Sequence, residues 1–573
     1  MLPISERQCL VRSRVTPAAA VLTSEIYGLL AYCEGCKPLA AHADAILAAI
    51  PGLAGQRAAV LGALDAMCAS GLFLRDDDVR KGLGSSTSDP EPSPLWGVVI
   101  RTCDRPDLLQ RLLQSLAANE KTCGNRYRYH VLDDSRDATH RLRNMQATST
   151  QTDIALDYHD LAGDVPLRVA LDAEFPHLRA EIAWLLGRSG DTNVATYGRP
   201  LNLALLLAAG ERFVTVDDDV TLDARSAPRF STGLEVSGER DDWDFYGSDA
   251  QIVAMTEPAG VDPIAAHAQW LGRKVASVVT AHAPLPNDWA NGLNGDDLLR
   301  VTGDSTILFT QNGVYGDPGS SLYPLHLFEL GAAAHARFTH DAEQYASNLR
   351  TRHNWRGRSR PRIAPRRLLT LTTLSGLDNR GLLPPTIPSL RNEDLLLGEV
   401  AQLAHPRGVM LDFPWGLLHF RVPPKQWNAL DDALPFRQDL PHFMLEEVAG
   451  AATRCVAESP HARLRMLAAA LRDLSDAPQG VLRGRLEHHL LDTRSRHRFA
   501  LDRELRSKPT APSYWRKDVE ALLRHRSLSV AAEGVASALA NVGEVRALLA
   551  NYASALDAWV HLWNYCRELR RPG

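Results

Sequence analysis

Three short apolar runs each stop abruptly at polar, mostly acidic residues, and this repeated ending constrains the fold more than any other feature of the chain. Leu95-Trp96-Gly97-Val98-Val99-Ile100 runs into Arg101-Thr102-Cys103-Asp104-Arg105-Pro106. Tyr129-His130-Val131-Leu132 runs into Asp133-Asp134-Ser135, and Gly210-Glu211-Arg212-Phe213-Val214-Thr215-Val216 runs into Asp217-Asp218-Asp219. Short apolar runs bounded by polar turns read as buried strands. After the first run, apolar residues at 108, 109, 112, 113 and 116 recur at helical spacing. Strand, helix and strand in alternation predict an α/β sheet layered by helices, with parallel strands. Open sheets of this kind bind ligands at the C-terminal ends of their strands, where all three polar clusters fall. Taken singly, each cluster also reads as a loop cap, and Asp104 is placed to cap the first helix, with Pro106 in its opening turn.

At 573 residues the chain is too long for one core and predicts about three domains. Residues 81–94 (KGLGSSTSDPEPSP) read as a linker. Upstream, residues 1–80 carry helical patterns at 18–33, 40–50 and 56–70 and close on the apolar end GLFL, a small winged-helix-like unit. Residues 95–427 form the α/β catalytic domain, and 428–573 are helical in pattern. This last, all-α domain either packs on the catalytic domain or makes a homodimer through the large apolar groups of WVHLWNYC.

Apolar residues at 45% and charged residues at 23% exclude global disorder and a disulfide miniprotein. A net charge of −5 supplies no overall field for nucleic acid or an anionic membrane. No run is long enough to span a bilayer, and MLPISERQCLVRSR lacks an apolar signal core, so the expected location is cytoplasmic, with no transmembrane segment. Cys33 and Cys36 form the sole CxxC; without a second pair, buried apolar thiols are favoured over a metal site.

Three adjacent carboxylates at the end of a buried strand repel one another and require a compensating cation. Mg²⁺ or Mn²⁺ is the simplest, because these ions prefer carboxylate oxygen and leave room for substrate phosphates. The alternative is a solvated acidic turn.

The motifs, together with the helix in YGRPLNLALLLAAGERFVTVDDDV and the later Arg391-Asn392-Glu393-Asp394, resemble in kind and order those of GT-A-fold glycosyltransferases, especially the inverting family 2 enzymes, over about residues 95–425. The resemblance implies an α/β Rossmann-like domain that moves a sugar from a nucleotide-diphosphate donor, UDP favoured, to an acceptor hydroxyl in polysaccharide or glycoconjugate biosynthesis. It implies that Arg101, Thr102 and Asp104 line the nucleotide pocket and that Asp134 faces the base. Arg199 and Asn202 fall where the family carries an Arg-Asn pair, although Pro200 and Leu201 separate them here. Asp217 and Asp219 match the outer residues of the DxD motif: Asp219 is the expected metal ligand, Asp217 lies near ribose or metal, and Asp218 lies beside the nucleotide.

Asp394 is the expected general base and Glu393 its alternate, because a sugar hydroxyl is a poor nucleophile until a carboxylate takes its proton. Both acids also read as first-turn residues favoured by the helix dipole. His419 lies where several such enzymes carry a last metal-binding histidine, or is a core histidine. NGVYGDPGSS (312–321) reads as a lip over the donor or a hairpin turn. TRHNWRGRSRPRIAPRR (351–367) holds seven arginines and no acid, and reads as a flap for a diphosphate or anionic acceptor, or as a solvated loop.

Sugar-nucleotide pyrophosphorylases share the broad fold but need a Gly-rich loop after the first strand, which RTCDRP lacks. Val15-Thr16-Pro17, the helices that follow, PGLAG and GLFL resemble PqqD-like winged helices, which implies docking of a peptide strand. The alternative function is therefore a peptide-binding or maturation protein, with the peptide as a possible acceptor beside glycan and lipid-linked ones. A DNA-reading winged helix is disfavoured, since residues 1–80 hold seven Lys or Arg against eight Asp or Glu.

Overall fold

The computed structural model describes residues 2–570 except 34, 90, 164, 189–195, 239–240, 291, 318–326, 351–352, 421–439, 526–527 and 532–540. The N-terminal unit opens with an antiparallel sheet in the order β1 (Leu2–Ser5), β2 (Gln8–Arg12), β3 (Ala19–Thr23). The helical pattern expected over 18–33 is thus corrected: Ala19–Thr23 pairs residue by residue with β2, and the helix starts only at Ser24, where the Thr23 hydroxyl accepts from the Ile26 N–H. Helices Leu39–Ala49 and Arg57–Ala69 match their patterns and enclose Ala43, Ile46, Val60, Leu64 and Met67. The apolar end GLFL is a turn that leads to helix Asp76–Leu83. Cys33 is half-buried and Cys36 exposed, so the CxxC thiols are not core residues.

The expected linker is fastened at Leu83, Ser86, Thr87 and Asp89. Asp304 accepts from the Ser86 hydroxyl and the Thr87 N–H, and Asp89 accepts from Arg273 and the Lys274 N–H at 3.0 Å each. Leu83 belongs to the core of the large sheet.

That sheet has twelve strands and is mixed: β4 (Gly97–Thr102), β5 (Arg128–Asp133), β6 (Ala155–Asp160), β7 (Arg212–Asp217), β8 (Val220–Ser226), β9 (Glu235–Val236), β10 (Asp242–Phe245), β11 (Thr306–Gly316), β12 (Asn354–Gly357), β13 (Arg362–Ala364), β14 (Leu374–Asp378) and β15 (Gly408–His419). Its spine runs β6-β5-β4-β7-β14-β11-β15-β13-β9. The first four strands are parallel. The chain enters at β4, steps outward to β5 and β6, then returns to the other side of β4 as β7. Strand order therefore reverses between β4 and β7, and a crevice opens at their C-terminal ends.

Side chains alternate across the strands. Val98, Ile100, Val214 and Val216 meet Leu109, Leu112 and Leu116 of helix Pro106–Cys123 on one face. Val99, Leu132 and Phe213 face the other way and share a core with helices Gly198–Leu207, Glu393–Ala404, Pro460–Asp476 and Val542–Leu569. The C-terminal helices thus pack on the sheet, each fully buried Leu or Phe contributing about 1.5–3 kcal/mol. The expected boundary at 427/428 lies outside the described residues, as do most of 530–541 within the helical stretch. Three aromatic side chains of the last helix tie it to the segment entering helix Glu393–Ala404. Tyr552 donates to the Pro385 carbonyl (2.9 Å), Trp559 to the Leu383 carbonyl (2.7 Å) and Trp563 to Asn379 (2.9 Å). Among the described residues no helix is long and apolar enough to cross a membrane.

Candidate active site

Strand register sets the site. Arg101 of β4 lies beside Asp217 of β7, and Thr102 beside Asp133 of β5, so all three polar strand ends meet at the order reversal. Val220 opens β8 directly after Asp219, and its partner on β15 is His419. The sheet thereby brings the distant histidine to the acidic turn. The Glu393–Asp394 pair opens its own helix, entered through Leu390 and Asn392 at left-handed φ of 83° and 67°. A cavity of about 1590 Å³ is lined by Arg101, Thr102, Asp104, Asp134, Asp217, Asp218, Asp219, Glu393, Asp394 and His419 together. One drug-sized ligand takes a pocket of roughly 300–1,000 Å³, so this volume accommodates two ligands.

Arg101 is the hinge of the arrangement. It donates to Asp217 (2.5 Å) and to the Thr372 hydroxyl (2.5 Å), and its other nitrogen lies 3.8 Å from Glu393. One buried guanidinium therefore faces both acidic clusters. Thr102 donates to Asp218 at 2.7 Å. Arg105, which sequence reasoning did not single out, reaches Asp218 (3.3 Å) and Asp219 (2.8 Å). Its signal was present in RTCDRP: a cation at the end of the strand adjoining three aspartates.

Asp104 does not cap the helix that follows, whose N-cap is Arg105. It adopts φ +56° and its carboxylate accepts from the Arg136 and Asp137 N–H groups at 3.0 and 2.9 Å, clamping the β5 loop to the β4 loop. Asp134 lines the cavity but is held by Arg199, by Thr196 (2.5 Å) and by Arg188 (3.3 Å). Arg199 and Asn202 stand behind the lining: Arg199 also donates to the Leu186 and Leu161 carbonyls, and Asn202 exchanges two hydrogen bonds with the Thr386 backbone. Both fasten the route to Glu393, away from the cavity.

Burial pushes the three aspartates upward, and their neighbours then separate them. Asp217 is raised despite Arg101; Asp218 is raised to about 7 by burial and the adjoining Asp219 charge. Asp219 feels the same burial, but the His419 imidazolium and Arg105 hold it down at about 2. His419 is correspondingly raised to about 9, its burial outweighed by Asp219. Glu393 rises to about 8, through burial and then the Asp394 charge. Asp394 rises to about 6 through burial, opposed by the Leu395 N–H and Arg101. Around neutrality that pair retains one proton and leaves Asp394 ionised. Cys103 is no nucleophile: burial and Asp134 push its thiol up to about 12.

Among the described residues no group of three His, Cys, Asp or Glu side chains converges on a metal position. The donor set still fits a divalent ion that draws further ligands from substrate. Asp219 Oδ1 is buried without a hydrogen-bond partner, 3.4 Å from His419 Nε2, and His419 Nδ1 donates to the Asp317 carbonyl at 2.7 Å. A carbonyl on one ring nitrogen orients the other, which becomes a ligand on giving up the proton it holds beside Asp219.

The basic segment is not a flap over its described part. It contributes β12 and β13, and Arg356, Arg358, Arg360, Arg362 and Arg366 each pair with a carboxylate: Asp241, Glu235, Asp288, Asp412 and Asp297. The expected glycine-rich lip is likewise strand at 312–316, where a Cβ on Gly313 would stand 2.7 Å from the Arg356 carbonyl; residues 318–321 lie outside the described residues.

Among the described residues five non-glycine positions have left-handed backbone: Asp104, Arg367, Leu369, Leu390 and Asn392. Three line the cavity and the other two adjoin lining residues. Such conformations cost about 1–3 kcal/mol each and gather where function holds them. No family model matches the chain, and no curated protein matches it.

Proposed function

We propose that the protein is an inverting, metal-dependent glycosyltransferase of GT-A type, acting on a nucleoside-diphosphate sugar, UDP favoured, and an acceptor hydroxyl. The observation that carries this reading is the meeting of Asp217–Asp219 and Glu393–Asp394 about one guanidinium, at the strand-order reversal and in a cavity large enough for two ligands. Asp219 and His419 would hold Mn²⁺ or Mg²⁺, which supplies charge compensation for a departing diphosphate. Thr102 and Arg101 keep Asp218 and Asp217 in place at the donor end. Asp394, ionised at neutral pH, takes the acceptor hydroxyl proton as the hydroxyl oxygen bonds to the anomeric carbon; attack opposite the leaving diphosphate inverts that centre. Glu393, protonated beside it, keeps a second negative charge away from the incoming oxygen.

Thermal-shift binding of UDP and GDP, each with and without Mn²⁺, tests the site. The expected result is a shift for one nucleotide that requires both Mn²⁺ and Asp219, and is lost in Asp219→Ala. Equal shifts in wild type and Asp219→Ala overturn the metal assignment, and no shift for either nucleotide overturns the transferase reading. A peptide-docking role is the second reading, favoured by β1, an edge strand whose four residues are all exposed, Leu2 and Ile4 included.

A further inference from the structure

Arg105 occupies an unusual position. Its guanidinium lies between Asp218 and Asp219, the aspartate assigned above to the metal. Its side chain is 43% exposed, whereas the Asp218 and Asp219 side chains are 4% and 15% exposed. The carboxylates are thus fixed and the cation is free to leave toward the cavity that it lines. A guanidinium cannot shed its charge by deprotonation, so it offsets part of the charge of this turn at any working pH. A dication on Asp219 Oδ1 would stand one carboxylate away from the guanidinium on Oδ2, and two cations so close repel. The guanidinium needs another anion to go to, and a diphosphate arriving in the cavity provides one with matching bidentate geometry.

We propose that Arg105 is the resident counter-cation of the acidic turn, displaced when a divalent metal binds and transferred to the diphosphate of the nucleotide. Metal and nucleotide therefore bind cooperatively: the metal alone must dislodge Arg105 without offering it a partner, while metal with nucleotide does not. The dication brings one more positive charge than Arg105 takes away, and the negative diphosphate that receives Arg105 supplies the charge that offsets it. This exchange rests on the metal-dependent reading of the site and adds the order in which its ligands enter.

Mn²⁺ binding, followed by loss of the free-ion EPR signal in the full chain, tests the exchange without any turnover. Wild type is expected to bind Mn²⁺ weakly alone and at least tenfold more tightly with the nucleotide that shifts its melting. Arg105→Gln is expected to bind Mn²⁺ alone at least tenfold more tightly than wild type, with the nucleotide effect shrinking toward onefold. Arg105→Lys, which keeps the charge, is expected to stay close to wild type. Unchanged or weaker Mn²⁺ binding by Arg105→Gln overturns the exchange, as does Arg105→Lys behaving like Arg105→Gln. Asp219→Ala separates the two levels of inference. If Mn²⁺ binding needs Asp219 but ignores Arg105, the exchange falls and the metal site stands; if it needs neither residue, both fall.

Discussion

The two acidic clusters of the cavity share one guanidinium yet are opposite in electrostatic character. Asp217–Asp219 is ringed by cations: Arg101 on one end, Arg105 and His419 on the other, with Asp219 held down at about 2. Glu393–Asp394 faces the far side of Arg101, 3.8 Å from Glu393, and burial pushes its two carboxyls up to about 8 and about 6. Identical functional groups therefore suit different tasks. A carboxylate anchored among cations binds a cation well and a proton poorly; one short of cations holds a proton near neutrality and can exchange it.

The largest break in this contrast is Asp394→Asn, which removes the proton acceptor alone. Turnover should fall roughly 10²–10⁴-fold while the nucleotide thermal shift remains. If Glu393→Gln gives the larger fall, the base is Glu393. Next in size is Arg101→Met, which withdraws the cation common to both clusters. Removing one partner of a buried ion pair costs about 3–5 kcal/mol, and the low end applies because Asp217 keeps some water; the melting temperature should drop accordingly. The same variant sharpens the comparison through pH. Because Asp394 must be ionised, kcat/KM should fall as pH drops through about 6 in wild type. Without the Arg101 charge the carboxyl holds its proton more strongly, so that limb should move to higher pH. An unmoved limb would detach Arg101 from the base. The smallest effect is Trp563→Phe, which deletes the bond to Asn379 behind the acidic helix. About 1 kcal/mol of stability should be lost, read by denaturant unfolding, with the pH limb in place.

Much of the strand framework was legible because it is written locally. Val98 to Ile100 and Phe213 to Val216 are too apolar for anything but buried strands, and DDD at the end of one announces a charge problem. The α/β class and the parallel strand ends follow from such runs. Non-local pairing was not legible. Ala19–Thr23 reads as helical until β2 is beside it, and the arginines at 356–366 read as a free basic loop because their partners Asp241, Glu235 and Asp412 lie far off in sequence. Asp104 looked like a cap because Pro106 follows, but the turn needed a left-handed residue whose carboxylate grips the next loop. Arg105 is illegible for a related reason: Asp218 and Asp219 lie more than a hundred residues further along the chain, and only the sheet brings them to it.

The three bonds from Tyr552, Trp559 and Trp563 to residues 379–385 also govern timing. During synthesis the sheet strands and both acidic clusters emerge well before the helix that braces them, since domains fold as they leave the ribosome. A nascent chain stopped short of Val542 carries every proposed catalytic side chain but leaves the Leu383 and Pro385 carbonyls without these donors. The segment that leads to the acidic pair therefore gains these three bonds only after residues 542–569 dock, so the bracing of the site trails its strands.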